Sequence, residues 1–232
     1  LRVEEQPGVA VLAIVGSGIA GLTCAYLLQR QHQITLFEAS DWVGGHTHTV
    51  DVELDGERHA IDTGFIVFND WTYPNFIRLL EQLGVGFKPT EMSFSVSDPV
   101  SGVEYNGHDL NTLFAQRSNL LSPAFWGMLR DILRFNAGAE GEVAAAPEMT
   151  IAALIARMRL GARFRDHYLY PFCGAIWSTP DNDIGAFPAR AMVRFMRNHG
   201  LLSRGQHHSW WTVDGGSISY VERLLAALVQ AG

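Results

Sequence analysis

The first stretch that could carry chemistry is a glycine loop near the start of the chain. Gly16-Ser17-Gly18-Ile19-Ala20-Gly21 fits the pattern G-x-G-x-x-G. In this pattern the first glycine permits a tight turn, the second lets the backbone approach a pyrophosphate, and the third lets the next helix pack closely. A helix that begins there presents free N–H groups and a partial positive charge to phosphates. The loop therefore indicates a phosphate-bearing ligand.

The elements around the loop support this interpretation. Val9–Gly16 is a short apolar run that predicts a buried parallel strand, helical spacing follows from Ile19, and Gln33–Ala39 predicts a second buried strand. Strand, helix and strand form a βαβ unit. Glu38 ends the second strand close to the usual ~20 residues after the glycines, where a carboxylate accepts ribose hydroxyls and repels a 2′-phosphate. The constellation predicts a dinucleotide site, for either FAD or NAD.

A pair of histidines follows the acid and raises a second possibility. The stretch EASDWVGGHTHTV places His46 and His48 two residues apart, so in a strand both rings would share one face, as in half of a metal site. A metal site needs further ligands, and His59 or the pair His207-His208 could supply one. Because nothing in the sequence brings these residues together, we predict no metal site.

The residues after Glu38 separate the two dinucleotides. The stretch from Val11 to Val50 resembles the N-terminal motif of the flavin amine oxidase and phytoene desaturase superfamily, in which a glycine pair, usually followed by arginine, comes after the acid. IDTGF and WWTVDGGSISYVERL resemble two later segments of that superfamily, and GGHTHTV, DTGFIVFN, TYPN, MSFSV, LFAQR, FRDHYLYPF, AIWSTP and FPAR resemble one bacterial subgroup. The resemblance implies bound FAD, with Glu38 on the adenosine ribose, the glycine pair beside the pyrophosphate and IDTGF near the flavin ring. The residues expected at the cofactor are Gly16, Ser17, Gly18, Ile19, Ala20, Gly21, Glu38, Ala39, Gly44, Gly45, His46, Thr63, Gly64 and Phe65.

His46 occupies the position where the superfamily usually has arginine. We expect His46 to contact the phosphate region of the cofactor and His48 not to. Many amine oxidases of the superfamily carry a lysine near the reactive flavin nitrogen, late in the chain, but Lys88 is the sole lysine here and does not match that motif. The catalytic residues therefore stay unassigned.

The rest of the chain predicts the organisation. Asp55-Gly56 marks a hairpin, a second hairpin turns between Asp98 and Gly102, and Ser122 with Pro123 begins a helix. The segment NAGAEGEVAAAPEM reads as a mobile connection. We predict an α/β fold, a Rossmann-like FAD/NAD(P)-binding domain with an inserted, mainly helical substrate domain, divided into residues 1–88, 89–205 and 206–232.

The bulk properties narrow the function. The 232 residues carry a net charge of −7, which argues against nucleic-acid binding. No apolar run reaches the ~20 residues of a membrane span, and no signal peptide is recognisable, so we expect a cytoplasmic protein. LLSPAFWGMLRDILRF could contact a membrane surface, although a packed helix is favoured. The two cysteines are expected to be buried thiols.

These features predict a FAD-dependent, amine-oxidase-like oxidoreductase that takes a hydride from a C–N or C–C bond of a small or hydrophobic substrate. The alternatives are a desaturase or isomerase of a lipid or isoprenoid and a non-catalytic FAD-binding protein. Both ends of the sequence look cut, so a fragment of a longer protein is expected, and this piece should hold FAD weakly or not at all unless the missing half is present. The sequence leaves the oligomeric state open.

Overall fold

The computed structural model describes residues 8–177, 181–202 and 209–231. The strands are β1 Val11–Val15, β2 Gln33–Phe37, β3 Thr49–Leu54, β4 Glu57–Asp62, β5 Phe68–Asn69, β6 Phe87–Thr90, β7 Ser95–Asp98, β8 Val103–Asn106 and β9 Trp210–Val213. The α-helices are α1 Ile19–Leu28, α2 Pro74–Leu83, α3 Leu110–Leu113, α4 Pro123–Ala145, α5 Ile151–Arg157, α6 Ala162–Phe164, α7 Tyr170–Trp177, α8 Asp181–Ile184, α9 Ala189–Asn198 and α10 Ile218–Ala231.

These elements divide into two units. The first contains the described residues up to Glu91 and those from Ser209 onward, and the second contains the described residues from Met92 to the gap before Ser209. The sequence prediction placed these boundaries after residues 88 and 205. The role of the second unit as a substrate domain stays a prediction.

The first unit begins with the predicted βαβ arrangement. β1 pairs with β2 in parallel, with Val11 opposite Gln33 and Val15 opposite Phe37, and α1 connects them. The prediction that both strands are buried is wrong for one face of this sheet, because Val15 is 86% exposed and Phe37 is 53% exposed. Alternate residues of both strands are more buried than these. The face that carries Val15 and Phe37 is not covered by any of the described residues.

Further strands of the first unit form two antiparallel sheets. The hairpin of β3 and β4 turns at Asp55 and Gly56, whose φ angles of 53° and 82° confirm the predicted turn. A second sheet has the order β5-β9-β6. The helix predicted to end at Gly84 is also confirmed, since Gly84 takes a left-handed φ of 65° and closes α2. The apolar core of this unit includes the fully buried side chains of Leu22, Phe68, Leu80 and Leu224.

The second unit is mainly helical, with the β7–β8 hairpin at its start. α4 is its longest element, and Ser122 caps it as predicted by accepting a hydrogen bond from the Phe125 N–H at 3.3 Å. The predicted mobile connection at NAGAEGEVAAAPEM is wrong, because α4 continues as a helix through Ala145. Alanine and glutamate favour helix strongly enough to carry it past the two glycines of this segment.

One helical run in the second unit departs from ideal geometry. A π-helix at Arg165–Leu169 lies between α6 and α7, where the sequence indicated one regular helix. Tyr105 donates a hydrogen bond to the His167 carbonyl at 2.7 Å, and Asp98 lies 3.5 Å from the His167 ring. These contacts join the first hairpin of this unit to the π-helix.

The exposure of the two cysteines corrects one prediction. Cys173 is buried, and burial raises the pKa of its thiol to about 12, but Cys24 is exposed on α1, contrary to the prediction.

The membrane contact considered for LLSPAFWGMLRDILRF stays a prediction. At the start of α4, Leu121 is 88% exposed and Trp126 is 50% exposed. Within the described ranges, no helix is both long enough and apolar enough to cross a membrane.

Candidate nucleotide-binding site

The glycine loop joins β1 to α1 and borders open space at its first two glycines. Gly16 has a φ of 94°, a value that favours glycine, and its N–H donates to the Phe37 carbonyl at 2.7 Å. A Cβ added at Gly16 or Gly18 would meet no atom within 4 Å. At Gly21 a Cβ would lie 1.9 Å from the Gly16 oxygen, so a side chain there would push the helix off the turn. The first two glycines therefore border open space and the third is required for packing.

Ser17 and Glu38 tie this loop to the end of β2. One carboxylate oxygen of Glu38 accepts from the Ser17 N–H at 2.8 Å and from the Ser17 hydroxyl. The other accepts from the N–H groups of Ala39 and Ser40, both at 2.8 Å. These hydrogen bonds, that of the Ser17 hydroxyl above all, lower the pKa of Glu38 to about 2. Glu38 is therefore charged at neutral pH.

The same hydrogen bonds limit what else Glu38 can bind. A carboxylate has about four acceptor positions, and in this structure protein donors approach all of them. A ribose diol would have to displace one of these donors or share an oxygen with it. Sequence reasoning identified the acid but not its protein partner, although Ser17 was among the predicted cofactor residues.

The glycine pair lies directly against the loop. The Gly44 N–H donates to the Ser17 carbonyl at 3.1 Å and lies 3.3 Å from the Ser17 hydroxyl oxygen. Gly44 and Gly45 have φ angles of 125° and 61°, and a Cβ on Gly45 would lie 3.0 Å from the Gly18 Cα. The structure thus brings together two glycine motifs that the sequence places more than twenty residues apart.

His46 and His48 differ in their surroundings. The His46 carbonyl accepts from the Phe65 N–H at 3.0 Å, whereas its side chain is exposed and has no hydrogen bond or ion pair with the described residues. The His48 ring is 3.0 Å from the Thr63 hydroxyl and packs on Trp42 with 5.1 Å between ring centroids. His48 is therefore engaged by the protein, and the His46 ring is available.

The segment from Thr63 to Phe65 runs beside these histidines. The Thr63 N–H donates to the His48 carbonyl at 2.9 Å. A Cβ on Gly64 would lie 2.1 Å from the His46 oxygen, so this approach requires glycine. The Phe65 ring packs edge-on against Phe76 at 5.3 Å. The predicted residues of this segment lie against the His46 loop.

A polar network that sequence reasoning missed fixes the start of α10 on the β3–β4 hairpin. The Asp62 carboxylate accepts from the Ser217 N–H at 2.9 and 3.0 Å and from the Ser217 hydroxyl at 2.9 Å. Thr49 donates to Asp62 at 2.5 Å and accepts from the Ile218 N–H at 3.0 Å. A polar residue directly after the Gly215-Gly216 pair was the signal that could have indicated this cap.

The metal alternative has no geometric support in the described part of the chain. No group of three histidine, cysteine, aspartate or glutamate side chains gathers there. His59 lies on β4, and the pair His207-His208 falls outside the described residues. Lys88 forms an exposed ion pair with Asp214 at 3.5 Å, which gives it a structural partner.

Comparison with known proteins agrees with this geometry. A family model described as an NAD(P)-binding Rossmann-like domain matches residues 14–83. A 1-hydroxycarotenoid 3,4-desaturase from Flavobacterium sp. (strain P99-3) is 36% identical over 97 residues, 41% of this chain and 18% of that protein. An L-amino-acid oxidase from Pseudechis australis is 50% identical over 67 residues, 24% of this chain and 13% of that protein.

A solved structure extends the likeness to nearly the whole chain. Cyclohexylamine oxidase from Brevibacterium oxydans IH-35A superposes with a TM-score of 0.58 at 21% identity, and the match covers 95% of this chain and 49% of that one. The matched residues thus cover about half of this structure and less than a fifth of each of the two curated relatives described above. At this identity the superposition establishes the fold, an α/β architecture with a Rossmann-like domain.

Proposed function

We propose that this chain, which belongs to the flavin amine-oxidase-like superfamily, binds FAD and forms part of an oxidoreductase that transfers a hydride from a C–N or C–C bond to the flavin. The observation that carries the proposal is the convergence of four segments at one place. The glycine loop, Glu38, the pair Gly44-Gly45 and the segment 63–65 are linked by the hydrogen bonds and close approaches described above.

The residues present fit a dinucleotide in three respects. The open space over Gly16 and Gly18 lets a pyrophosphate reach the N–H groups at the start of α1. The charged carboxylate of Glu38 favours a ribose with free hydroxyls over one with a 2′-phosphate. His46 presents an exposed ring beside Gly45, where it could donate a hydrogen bond to a phosphate oxygen.

FAD would supply the hydride acceptor, while the protein orients the reactants and excludes water. In this proposal Thr63, Gly64 and Phe65 border the flavin, and Ala39 belongs to the ribose end of the site. No described side chain is assigned a proton-transfer role. The substrate is small or hydrophobic, and its identity is left to experiment.

A second candidate function rests on one similarity. The longer of the two curated matches described above is to a carotenoid desaturase, so a desaturase or isomerase that acts on a C–C bond of a lipid or isoprenoid is the alternative. We further propose that the protein is bacterial and cytoplasmic, as the resemblance to one bacterial subgroup and the free cysteines suggest. No nucleic-acid or membrane partner is part of the proposal.

Cofactor identity is tested by titrating FAD and NAD⁺ separately into the purified chain and following flavin fluorescence or calorimetric heat. We expect saturable FAD binding that is weak enough for the flavin to be lost on gel filtration. Saturable NAD⁺ binding without FAD binding would refute the proposal. Stoichiometric flavin retained through gel filtration would refute the expectation of weak binding.

His46 offers a sharper test of the site. The change His46→Ala should weaken FAD binding several-fold because it removes a donor at the phosphates, whereas His59→Ala, on the β3–β4 hairpin, should not. Equal affinity of wild type and His46→Ala would remove His46 from the site. Anaerobic bleaching of the FAD-loaded protein by amines or by lipids then chooses between the two reactions, and a flavin that neither class reduces favours a non-catalytic role.

A further inference from the structure

The second unit contains an arginine-lined groove that the proposed function does not use. It lies between the C-terminal part of α4 and the helix α9 and has a cavity volume of about 780 Å³. We call it the α4–α9 groove and define it by six lining residues, Glu140, Gly141, Val143, Arg190, Arg194 and Arg197. This volume falls within the range of about 300–1,000 Å³ typical of small-molecule sites.

The charge of the groove is opposite to that of the chain. The protein as a whole carries a net charge of −7, yet three arginines and one glutamate line this groove. Glu140 pairs with Arg197 at 3.4 Å, and both side chains are more than half exposed, so this pair is weak. Arg190 and Arg194 are exposed and have no acidic partner among residues 8–177, 181–202 and 209–231. The groove therefore presents unneutralised positive charge.

The arrangement of the arginines points to a ligand with several negative groups. They stand at positions i, i+4 and i+7 of α9, so they lie along one face over about 10 Å at ~1.5 Å per residue. Like charges at these spacings destabilise an isolated helix, and α9 contains no acidic residue to relieve them. Each guanidinium can grip a phosphate or carboxylate with two parallel hydrogen bonds. An anion that spans the face would relieve this repulsion.

The other wall of the groove has room for the body of such a ligand. Val143 and Val193 are buried beneath it, at 7% and 2% exposure, and supply an apolar floor. Gly141 faces open space, since a Cβ there would meet no atom within 4 Å. We propose that the α4–α9 groove binds a small organic polyanion through Arg190, Arg194 and Arg197, with its apolar part against the valine floor.

The proposal is tested by calorimetric titration of the full chain with tripolyphosphate and, separately, citrate at low ionic strength. We expect one saturable site that weakens as salt screens the exposed charges, and a thermal midpoint that rises with ligand. The double variant Arg190→Gln/Arg194→Gln should lose at least tenfold in affinity. Arg78→Gln/Arg223→Gln, two exposed arginines elsewhere with the same change in charge, should stay within twofold.

A steric variant separates the groove from general electrostatics. Gly141→Phe fills the groove without changing charge and should also weaken binding at least tenfold, whereas Gly127→Phe, on the same helix with equally open space, should not. Thermal midpoints without ligand that are no lower than that of the wild type confirm that the variants fold. Tighter binding of tripolyphosphate indicates a phosphate ligand, and tighter binding of citrate a carboxylate ligand. The proposal would be overturned if both double arginine variants lost the same anion affinity, if neither anion saturated the site, or if only an acidic peptide bound.

Discussion

The carboxylate of Asp62 connects two parts of the first unit that are distant in sequence, and its removal tests how α10 is held. Asp62 ends β4, and Ser217 immediately precedes α10. Ser217 is 1% exposed, so its N–H has no access to water if the carboxylate is lost. We therefore expect Asp62→Ala to destabilise α10 selectively.

The magnitude follows from the contacts. The orphaned N–H of Ser217 costs about 1–3 kcal/mol, and loss of a negative charge at a helix N-terminus costs about 0.3–1 kcal/mol. The hydrogen bond from Thr49 contributes about 1 kcal/mol more. The Ser217 hydroxyl keeps the Phe65 carbonyl as an acceptor at 2.9 Å, so it adds little. The expected total is about 3 kcal/mol, which corresponds to a factor of roughly 100 in the opening equilibrium of α10.

Native-state hydrogen exchange of the amides in the middle of α10 measures this opening directly, and it does not require the two units to unfold together. Asp62→Ala should reduce their protection roughly 100-fold, and Asp62→Asn, which keeps one acceptor oxygen, should reduce it less. Asp51→Ala, which removes only the exposed ion pair with Arg58 on the same hairpin, serves as the control. If Asp62→Ala changes the exchange of α10 no more than Asp51→Ala, the proposed anchoring is wrong.

Three further predictions test the local geometry. Gly64→Ala should lower the free energy of unfolding by about 1–3 kcal/mol because its Cβ would overlap the His46 carbonyl. Gly141→Ala, in open space on a helix, should instead raise it by about 1 kcal/mol. Thermal midpoints that shift in the same direction in both variants would contradict this reasoning. Glu38 has a lowered pKa, so its stabilising contribution is present above the ordinary value of 4.5 and is lost as pH falls towards about 2; Glu38→Gln should flatten the acid unfolding curve in that window. At neutral pH iodoacetamide should label Cys24 and leave Cys173, whose thiol is buried, unmodified, and mass spectrometry of the peptides checks this.

Elements with local signals could be predicted from the sequence. Asp55-Gly56 needs only its own two residues to form a tight turn, and Ser122 caps a helix whose first N–H groups lie three residues away. The glycine loop likewise depends on the strand directly before it and the helix directly after it. Such features follow from the conformational preferences of a few adjacent residues, and the structure confirms them.

Features that depend on distant partners could not be predicted in this way. Asp62 and Ser217 lie 155 positions apart, and no local pattern announces that pair. The continuation of α4 was missed because its two glycines resemble a linker. Gly138 is in fact packed, since a Cβ added there would lie 3.1 Å from the Met158 side chain. Cys24 was predicted to be buried, but it lies on the exposed side of α1 with Leu27, whereas Leu22 and Ala25 are the buried residues of this helix.

Glu38 shows why the type of a residue does not settle its role. Its position after β2 indicates a ribose ligand, and its chemistry as a charged acceptor supports that expectation. The structure, however, directs all its acceptor positions to Ser17, Ala39 and Ser40. The same carboxylate thus fixes the glycine loop to the following turn, and through Ser17 to Gly44. Any ribose bound at Glu38 must compete with those donors, so the residue links cofactor binding to the conformation of the loop that receives the phosphates.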